Sequence, residues 1–405
     1  MSRLLCQAEL PRLARSRISR APSPNTESNR RPSPYHGDAL PTELLGPEAA
    51  KDYRGDGRRP TPPRTAEPPR PATNASMGLT EPMAPTATAG SSGPTTHQRW
   101  TVADMPDLTG RTAIVTGANS GLGFYTAQAL ARNGAAVTMA VRDEAKGERA
   151  RELLGPVRGA VEVRRLDLGS LASVRAFSDS WSSDHAGGLD LLINNAGIMA
   201  IPRRESADGH ELQFATNHLG HFALTGLLLP ALVAIPHSRV VNVASGAHRM
   251  ARRINFEDLM GEKKYSQWGA YGQSKLANLL FTTELQRRFE ANDLTVTAVA
   301  AHPGFAATNL QGVGPAMRGA RLEGKLTALA NKVIAQSPQM GSLPILFAAT
   351  VPGLAGNSYV GPGGRGEIKG HPRLVGRSSA AQDLAQAREL WDVSEELTGV
   401  HFPLD

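Results

Sequence analysis

The 405-residue chain has one cysteine, Cys6. A single thiol closes no intrachain disulfide, and from residue 7 onward no thiolate is on offer to a metal. A disulfide-stapled scaffold and a zinc–cysteine site are therefore both excluded. No stretch approaches the ~20 unbroken apolar residues that span a bilayer, and the amino-terminal segment lacks the apolar centre of a secretory signal. Aromatic residues make up only 5% of the chain, too few to read as a base-stacking surface. The expectation is a soluble, cytoplasmic protein with no integral membrane segment, no metal and no nucleic-acid partner.

Charge is present but unevenly placed. Residues 1–100 hold 16 of the 29 prolines and carry 14 Lys/Arg against 9 Asp/Glu, whereas the other 305 residues are nearly balanced at 30 against 28. The net charge of +7 thus belongs mostly to the first hundred residues and does not describe a basic binding face. That segment, with Pro22-Ser-Pro24, Arg31-Pro-Ser-Pro34 and Arg58-Arg-Pro-Thr-Pro-Pro-Arg64, has no apolar period and repeatedly lacks backbone donors, so it reads as a disordered tail. Met1 to Arg20, Arg-rich and poor in acid, suits an organelle transit peptide as well as a solvated tail, and Met77, Met83 and Met105 are alternative starts. Residues 101–405 form the folded domain.

From Leu108 onward, β-branched apolar runs alternate with segments long enough for helices. Thr112–Thr116, Ala136–Val141, Val161–Leu168, Asp190–Asn194, Arg239–Ala244 and Thr295–Ala300 read as strands, with a short seventh at Ser358–Val360. Strands separated by crossover helices pack in parallel and are covered on both faces. The fold class is therefore α/β: one Rossmann-like doubly wound parallel sheet, with a ligand at the carboxyl ends of its strands.

The first strand runs into Thr116-Gly-Ala-Asn-Ser-Gly121-Leu-Gly123. Glycines here let the backbone approach a pyrophosphate, and the following helix offers unpaired N–H groups to the anion. The spacing Gly117-x-x-x-Gly121-x-Gly123 differs from G-x-G-x-x-G, and an ordinary glycine-rich turn is the alternative. The second strand ends at Val141-Arg142-Asp143. Arg142 suits a 2′-phosphate clamp and favours NADP(H), while Asp143 leaves NAD(H) open.

Tyr271 and Lys275 lie one helical turn apart on a helix spanning about Gly269 to Ala291, and Ser245 ends an apolar strand 26 residues earlier. A free tyrosine has a pKa of about 10, so acid–base work near neutrality needs a fall of roughly 3 units, about 4 kcal/mol. A cation about 5 Å away at an effective dielectric near 20 supplies about 3 kcal/mol. Ser245 can donate to a substrate oxygen where negative charge develops.

With these motifs in hand, the chain from Leu108 to its carboxyl terminus resembles the short-chain dehydrogenase/reductase family. Thr116-Gly-x-x-x-Gly-x-Gly123 looks like that family's cofactor motif, Asn194-Asn-Ala-Gly197 like its motif after the fourth strand, and Tyr271-x-x-x-Lys275 like its active-site pair. Asn217-His-Leu-Gly-His-Phe222, Ser274-Lys-Leu-Ala-Asn278 and Leu390-Trp-Asp-Val-Ser-Glu-Glu-Leu-Thr-Gly399 look most like the branch of retinol dehydrogenases and light-dependent protochlorophyllide reductases. The resemblance implies that Ser245 polarises a carbonyl, Tyr271 exchanges the proton, Lys275 holds the ribose and lowers the Tyr271 pKa, and Asn217 supports a water relay. It implies cofactor contacts at Thr116, Gly117, Asn119, Ser120, Gly121, Leu122 and Gly123, at Asp167 and Leu168, at Asn195, Ala196 and Gly197, and at Pro303, Gly304 and Thr308. It also implies a homo-oligomer paired through the helix that bears Tyr271.

His218 and His221, at i and i+3, imitate half a metal site but lack Cys or acidic partners. Asp208-Gly-His-Glu211 reads as a turn with a helix cap. Trp268 reads either as a wall of the substrate cleft or as core, and Arg249–Lys264 as a solvated loop or a basic steering surface. Substrate choice falls to Ile198–Arg204, to the insertion between Ser245 and Tyr271, and to Phe305–Gln336, a candidate lid whose Leu310, Val313 and Met317 suit an apolar pocket. The reading is an NADP(H)-dependent oxidoreductase moving hydride between nicotinamide and a bulky, apolar carbonyl or alcohol. A non-turning-over NADP(H) sensor or scaffold and an NAD(H)-dependent alcohol dehydrogenase are the alternatives.

Overall fold

The computed structural model describes residues 99–305 and 336–404. The expectations for the amino-terminal tail, for Thr308 and for most of the candidate lid lie outside them. The described residues build one eight-stranded sheet in the order β3-β2-β1-β4-β5-β6-β7-β8. The strands are β1 Thr112–Thr116, β2 Ala136–Val141, β3 Val161–Arg165, β4 Leu191–Asn194, β5 Arg239–Val243, β6 Thr297–Ala301, β7 Tyr359–Pro362 and β8 Pro372–Leu374. All neighbours pair in parallel except β7 and β8.

Seven helices position the site: α1 Gly121–Arg132, α2 Glu144–Glu152, α3 Leu171–Asp184, α4 Gly220–Leu227, α5 Gln267–Ala291, α6 Pro338–Thr350 and α7 Leu384–Thr398. Their starts are chemically marked. Asp143 accepts from the Lys146 N–H, Ser266 from the Gly269 N–H, and Asp383 from the Ala385 and Gln386 N–H groups, which satisfies otherwise orphaned donors. At its far end α7 stops at Gly399, whose φ of +58° is left-handed.

Side chains alternate across each strand, so β1 sends Val115 to one face and Ile114 to the other. On the first face Val115, Val137, Met139, Ile193 and Val241 pack against Leu130 of α1 and Ile345 and Leu346 of α6. On the second, Ile114, Leu192 and Val240 pack beneath Trp181, Phe222, Phe281 and Trp391 from α3, α4, α5 and α7. This double burial explains why the strands read as continuous apolar runs.

Strand order reverses at β1, whose neighbours are β2 on one side and β4 on the other. The crevice beyond the carboxyl ends of these strands is where an open α/β sheet takes its ligand. Two features were not expected from the sequence. An antiparallel β8 is added at the edge, from a three-residue segment with Pro372 and no apolar run to announce it. In addition, α5 is buried from Ser274 to Gln286 within a single chain. Part of that cover is α7, whose Trp391 lies 5.9 Å from the Phe281 ring.

Candidate active site

The glycine turn sits where β1 meets α1. Gly117 and Gly121 take φ values of +67° and +56°, a region costly for any residue with a Cβ. A Cβ on Gly123 would strike the Gly117 carbonyl and come within 2.6 Å of Asn195 Nδ2, and one on Gly117 would press on Ala196 at 3.0 Å. Asn119, Ser120, Gly121 and Leu122 are half-buried along the rim, and the Ser120 hydroxyl makes no cap bond to the first turn of α1. A shallow backbone floor ending in free helix N–H groups fits the pyrophosphate of a dinucleotide.

The Thr116 side chain is engaged within the protein. Its hydroxyl accepts from the N–H groups of Asn195 and Ala196, both at 2.9 Å, and lies 2.9 Å from His221 Nε2. Asn195 returns its amide to the Thr116 carbonyl at 2.7 Å. Both side chains thus tie β1 to the turn after β4, and it is the backbone of Ala196 and Gly197 that borders the crevice. His221 Nδ1 lies 3.1 Å from the Asn217 carbonyl, so Nδ1 donates there and Nε2 accepts from Thr116. Burial holds this imidazole neutral, with a pKa of about 3.

At the end of β2, Arg142 is exposed and has no ion-pair partner among the described residues. The neighbouring Asp143 is committed elsewhere: it caps α2 and pairs with Lys146 at 3.3 Å. After β3, Asp167 accepts from the Gly169 N–H at 3.0 Å, fixing a turn. Leu168 is buried, and its carbonyl packs so closely on α4 that a Cβ on Gly220 would strike it.

The candidate acid–base group is assembled from β5 and α5. Ser245 follows β5 and caps the 3₁₀ turn Gly246–Met250; its hydroxyl accepts from the Ala247 N–H at 3.1 Å and lies close enough to the Tyr271 phenol to draw the phenol pKa downward. One turn along α5, Lys275 Nζ lies 5.8 Å from the Tyr271 ring centroid and donates to the Val243 carbonyl at 3.0 Å. Both side chains are buried, Tyr271 being 5% and Lys275 3% exposed. Asn217 lies in a π-helical stretch, Ala215–Leu219, of the kind that often marks a functional position. Its Nδ2 donates to the Ile198 carbonyl and to Ser274 Oγ, each at 2.9 Å. A Cβ on Gly197 would sit 3.0 Å from Asn217 Oδ1 and 3.5 Å from Lys275 Nζ, so these two polar groups converge on one glycine.

Here the structure corrects the electrostatics read from spacing. Lys275 was expected to lower the Tyr271 pKa, but burial dominates and raises it, opposed only by the Ser245 hydroxyl. The same burial brings Lys275 itself down to about 8. Desolvation disfavours the charged form of each group, and at the phenol it outweighs the opposing effect of Ser245.

Pro303 and Gly304 follow β6. Gly304 takes φ +66°, and a Cβ there would strike the Ile368 carbonyl. Of the bland candidates, Glu211 caps the helical turn that begins at Leu212, accepting from Gln213 and Phe214 N–H groups. Trp268 is 48% exposed and edge-on to the Tyr271 ring at 6.2 Å, so it is not core. His218 donates from Nε2 to Ser394 Oγ, 2.9 Å away, inside the packed helices, because the Ser394 hydroxyl gives its own proton to the Leu390 carbonyl. Arg249–Lys264 is not a bare loop, since it holds 3₁₀ turns at Gly246–Met250 and Phe256–Asp258. A cavity of about 190 Å³ between that insertion and the start of α5 is lined by Asn255, Tyr265 and Gly269 but by none of Ser245, Tyr271 and Lys275, so it is not the reaction cleft.

Sequence reasoning missed His248, which donates from Nδ1 to the Ser245 carbonyl at 2.7 Å, and His302, which accepts the Gly304 N–H at 3.3 Å. The available signal was their position, three residues after the serine and two before the glycine, though nothing in that spacing says what they bond.

The model of the short chain dehydrogenase family matches residues 111–317. Retinol dehydrogenase 14 of Mus musculus is 40% identical over 323 residues, spanning 76% of this chain and 92% of that protein. Retinol dehydrogenase 13 of Homo sapiens is 39% identical over 302 residues, 73% and 87% of the two chains. Among solved structures, an uncharacterized protein from Mycobacterium paratuberculosis is 48% identical with a TM-score of 0.63, covering 76% of this chain and all (100%) of that one. Sheet order, glycine turn and these relatives agree: the chain belongs to the short-chain dehydrogenase family, in its retinol dehydrogenase-like branch.

Proposed function

We propose that this oxidoreductase uses NADP(H) to interconvert a bulky, apolar carbonyl compound and its alcohol, with Tyr271 as the acid–base group and the activity carried by residues 101–405. The observation that carries the reading is the meeting of three side chains at the carboxyl end of β5: the Ser245 hydroxyl acts on the buried Tyr271 phenol, and buried Lys275 lies 5.8 Å from the Tyr271 ring centroid. A carbonyl oxygen entering between the two hydroxyls would accept from both. Ser245 stabilises the charge that develops on it, and Tyr271 hands over its proton. The dinucleotide, when bound, supplies or takes the hydride at its nicotinamide ring.

The raised pKa of Tyr271 supports the reductive direction, because the phenol holds its proton at neutral pH and is ready to donate it. Below about pH 8 Lys275 is charged, and in that form it favours the phenolate left behind. Asn217, with Oδ1 near Gly197, lies where a proton path from Lys275 toward Ile198 would begin.

The cofactor assignment is supported by an exposed Arg142, without an ion-pair partner among the described residues, beside an Asp143 already used as a helix cap. A carboxylate so engaged is a poor acceptor for ribose hydroxyls, whereas an unpaired guanidinium suits a 2′-phosphate. The substrate class is supported by exposed Trp268 and Met250 near Tyr271 and Gly272, and by relatives whose name specifies retinol, an apolar alcohol.

The test is NADPH consumption and NADP⁺ reduction across ketones, aldehydes and alcohols, including retinoids and other terpenoids. Turnover is expected with apolar substrates and should fall by ~1,000-fold or more in Tyr271→Phe with little change in NADPH affinity. Undiminished turnover in that variant would sink the assignment of the proton donor.

A further inference from the structure

Two parts of the site come from distant stretches of chain: the Ser245 turn and the Pro303–Gly304 turn that follows β6. We propose that Glu367 is a positioning residue that couples them, acting through His302 on one side and Arg249 on the other. The inference rests on the function proposed above for its catalytic consequence, but its geometry stands alone.

His302 is 2% exposed. Its Nδ1 lies 3.3 Å from the Gly304 backbone nitrogen, and its Nε2 lies 3.0 Å from Glu367 Oε2. The Gly304 N–H can only donate, so Nδ1 is the acceptor, and the imidazole hydrogen sits on Nε2 and is donated to the carboxylate. The tautomer and the ring plane are thereby fixed, as when a carboxylate orients a histidine toward a metal. Room for the ring is made by Gly361, where a Cβ would run into it.

The other carboxylate oxygen of Glu367 lies 3.5 Å from Arg249 Nη2. Arg249 belongs to the 3₁₀ turn that Ser245 caps, and it also donates to the Gly376 carbonyl at 2.8 Å. Glu367 itself takes φ +57°, which is left-handed and unfavourable for a residue with a side chain. Strain of this kind persists only where surrounding contacts over-determine it, and it clusters at functional sites. Here the contacts are the two just described. The line Gly304–His302–Glu367–Arg249 therefore runs from the backbone expected beside the nicotinamide to the turn that carries the polarising serine.

Tyr359 stiffens the same assembly. Its ring centroid is 5.1 Å from that of His302 and 5.8 Å from that of His248, the side chain that holds the Ser245 carbonyl. One aromatic wedge thus separates the two histidines, and one carboxylate joins the two turns.

The experiment uses the full chain, first without cofactor. Amide hydrogen exchange in Glu367→Ala should quicken in two separated segments, Gly246–Met250 and His302–Phe305, whereas Glu367→Gln, which keeps an oxygen for His302, should leave His302–Phe305 protected. Quickening confined to residues 364–370 would overturn the proposal. In turnover, Glu367→Ala should lose ~10-fold or more in kcat, as small misplacement of reacting groups does. Its affinity for 2′,5′-ADP, which lacks the nicotinamide, should change by less than about 2-fold. An unchanged kcat, or equal loss of kcat and 2′,5′-ADP affinity, would also overturn it. Should Glu367→Ala fail to fold, His302→Gln tests the same link by the same exchange measurement. A wild-type protein with no NADP(H)-dependent turnover would refute the proposed function and leave the exchange result to decide on the bridge.

Discussion

Lys275→Met is expected to make the protein more stable while abolishing its activity. Lys275 is buried, and its pKa falls from 10.5 to about 8 for that reason alone. A depression of this size corresponds to about 3 kcal/mol of penalty for carrying the charge in the folded state at pH 6–7. Methionine has a similar length and no charge, so it removes the penalty. It also removes the hydrogen bond from Nζ to the Val243 carbonyl, which costs about 1 kcal/mol. That carbonyl is not orphaned, because Asn278 Nδ2 also donates to it at 3.1 Å. The net expectation is about 2 kcal/mol of stabilisation at pH 6.5. The pH dependence is more telling than the magnitude. Between pH 8 and 10.5 the unfolded chain holds the lysine proton and the folded chain does not, so wild-type stability rises with pH across that window. The advantage of the methionine variant should shrink over the same range and reverse by its upper end, where the lost bond to the Val243 carbonyl, about 1 kcal/mol, is what remains. Urea unfolding followed by tryptophan fluorescence at pH 6.5, 8 and 10.5 measures both quantities. A variant less stable than wild type at pH 6.5, or a difference that does not change with pH, would refute the idea that burial of this ammonium is what the site holds in reserve.

Arg142→Ala should weaken NADPH by about 2 kcal/mol, roughly 30-fold, through loss of a charge-assisted contact, while NADH affinity changes little; equal loss for both in fluorescence titrations would overturn the 2′-phosphate assignment. Gly123→Ala should lower affinity for either dinucleotide by ~10-fold or more, because a Cβ there meets the Gly117 carbonyl and the Asn195 amide; unaltered binding would show that the turn is not the pyrophosphate site. Because α7 covers α5 within one chain, sedimentation equilibrium should report a monomer at micromolar concentration; a dimer lost on Trp391→Ala would instead place α7 in an interface between copies.

The sheet and the cofactor turn were legible because they make demands on sequence that few residues meet. Strands buried on both faces need unbroken β-branched runs, and a backbone at φ +67° and +56° needs Gly117 and Gly121. The Tyr271–Lys275 pairing was legible for a similar reason: two residues one turn apart on a helix share a face. The sign of the Tyr271 pKa shift was not. It depends on how dry the cleft is, and dryness is set by packing among α5, β5 and the turn after β4, which no local spacing encodes. His302 and Glu367 are 65 residues apart, and their bond exists only because β6 and β7 lie side by side. β8 escaped notice because a three-residue edge that begins with proline and exposes its other two residues has no period to detect.

The two pKa shifts at the centre of the site have one origin, and that origin says what the site is built to do. A cleft that only had to make an acidic phenol would keep Lys275 hydrated and fully charged. This one buries the lysine until its pKa approaches 8 and lets the phenol stay protonated. Such a cleft is poorly suited to holding a phenolate at rest and well suited to releasing a proton when negative charge appears on a neighbouring oxygen, because a dry surrounding strengthens that interaction. On the function proposed here, a charge that develops only during the reaction would be met by Ser245, Tyr271 and Lys275 together, so their stabilisation would fall on the transition state and not on the resting protein. On this argument the burial that raises the Tyr271 pKa is part of the catalytic design and not an obstacle to it.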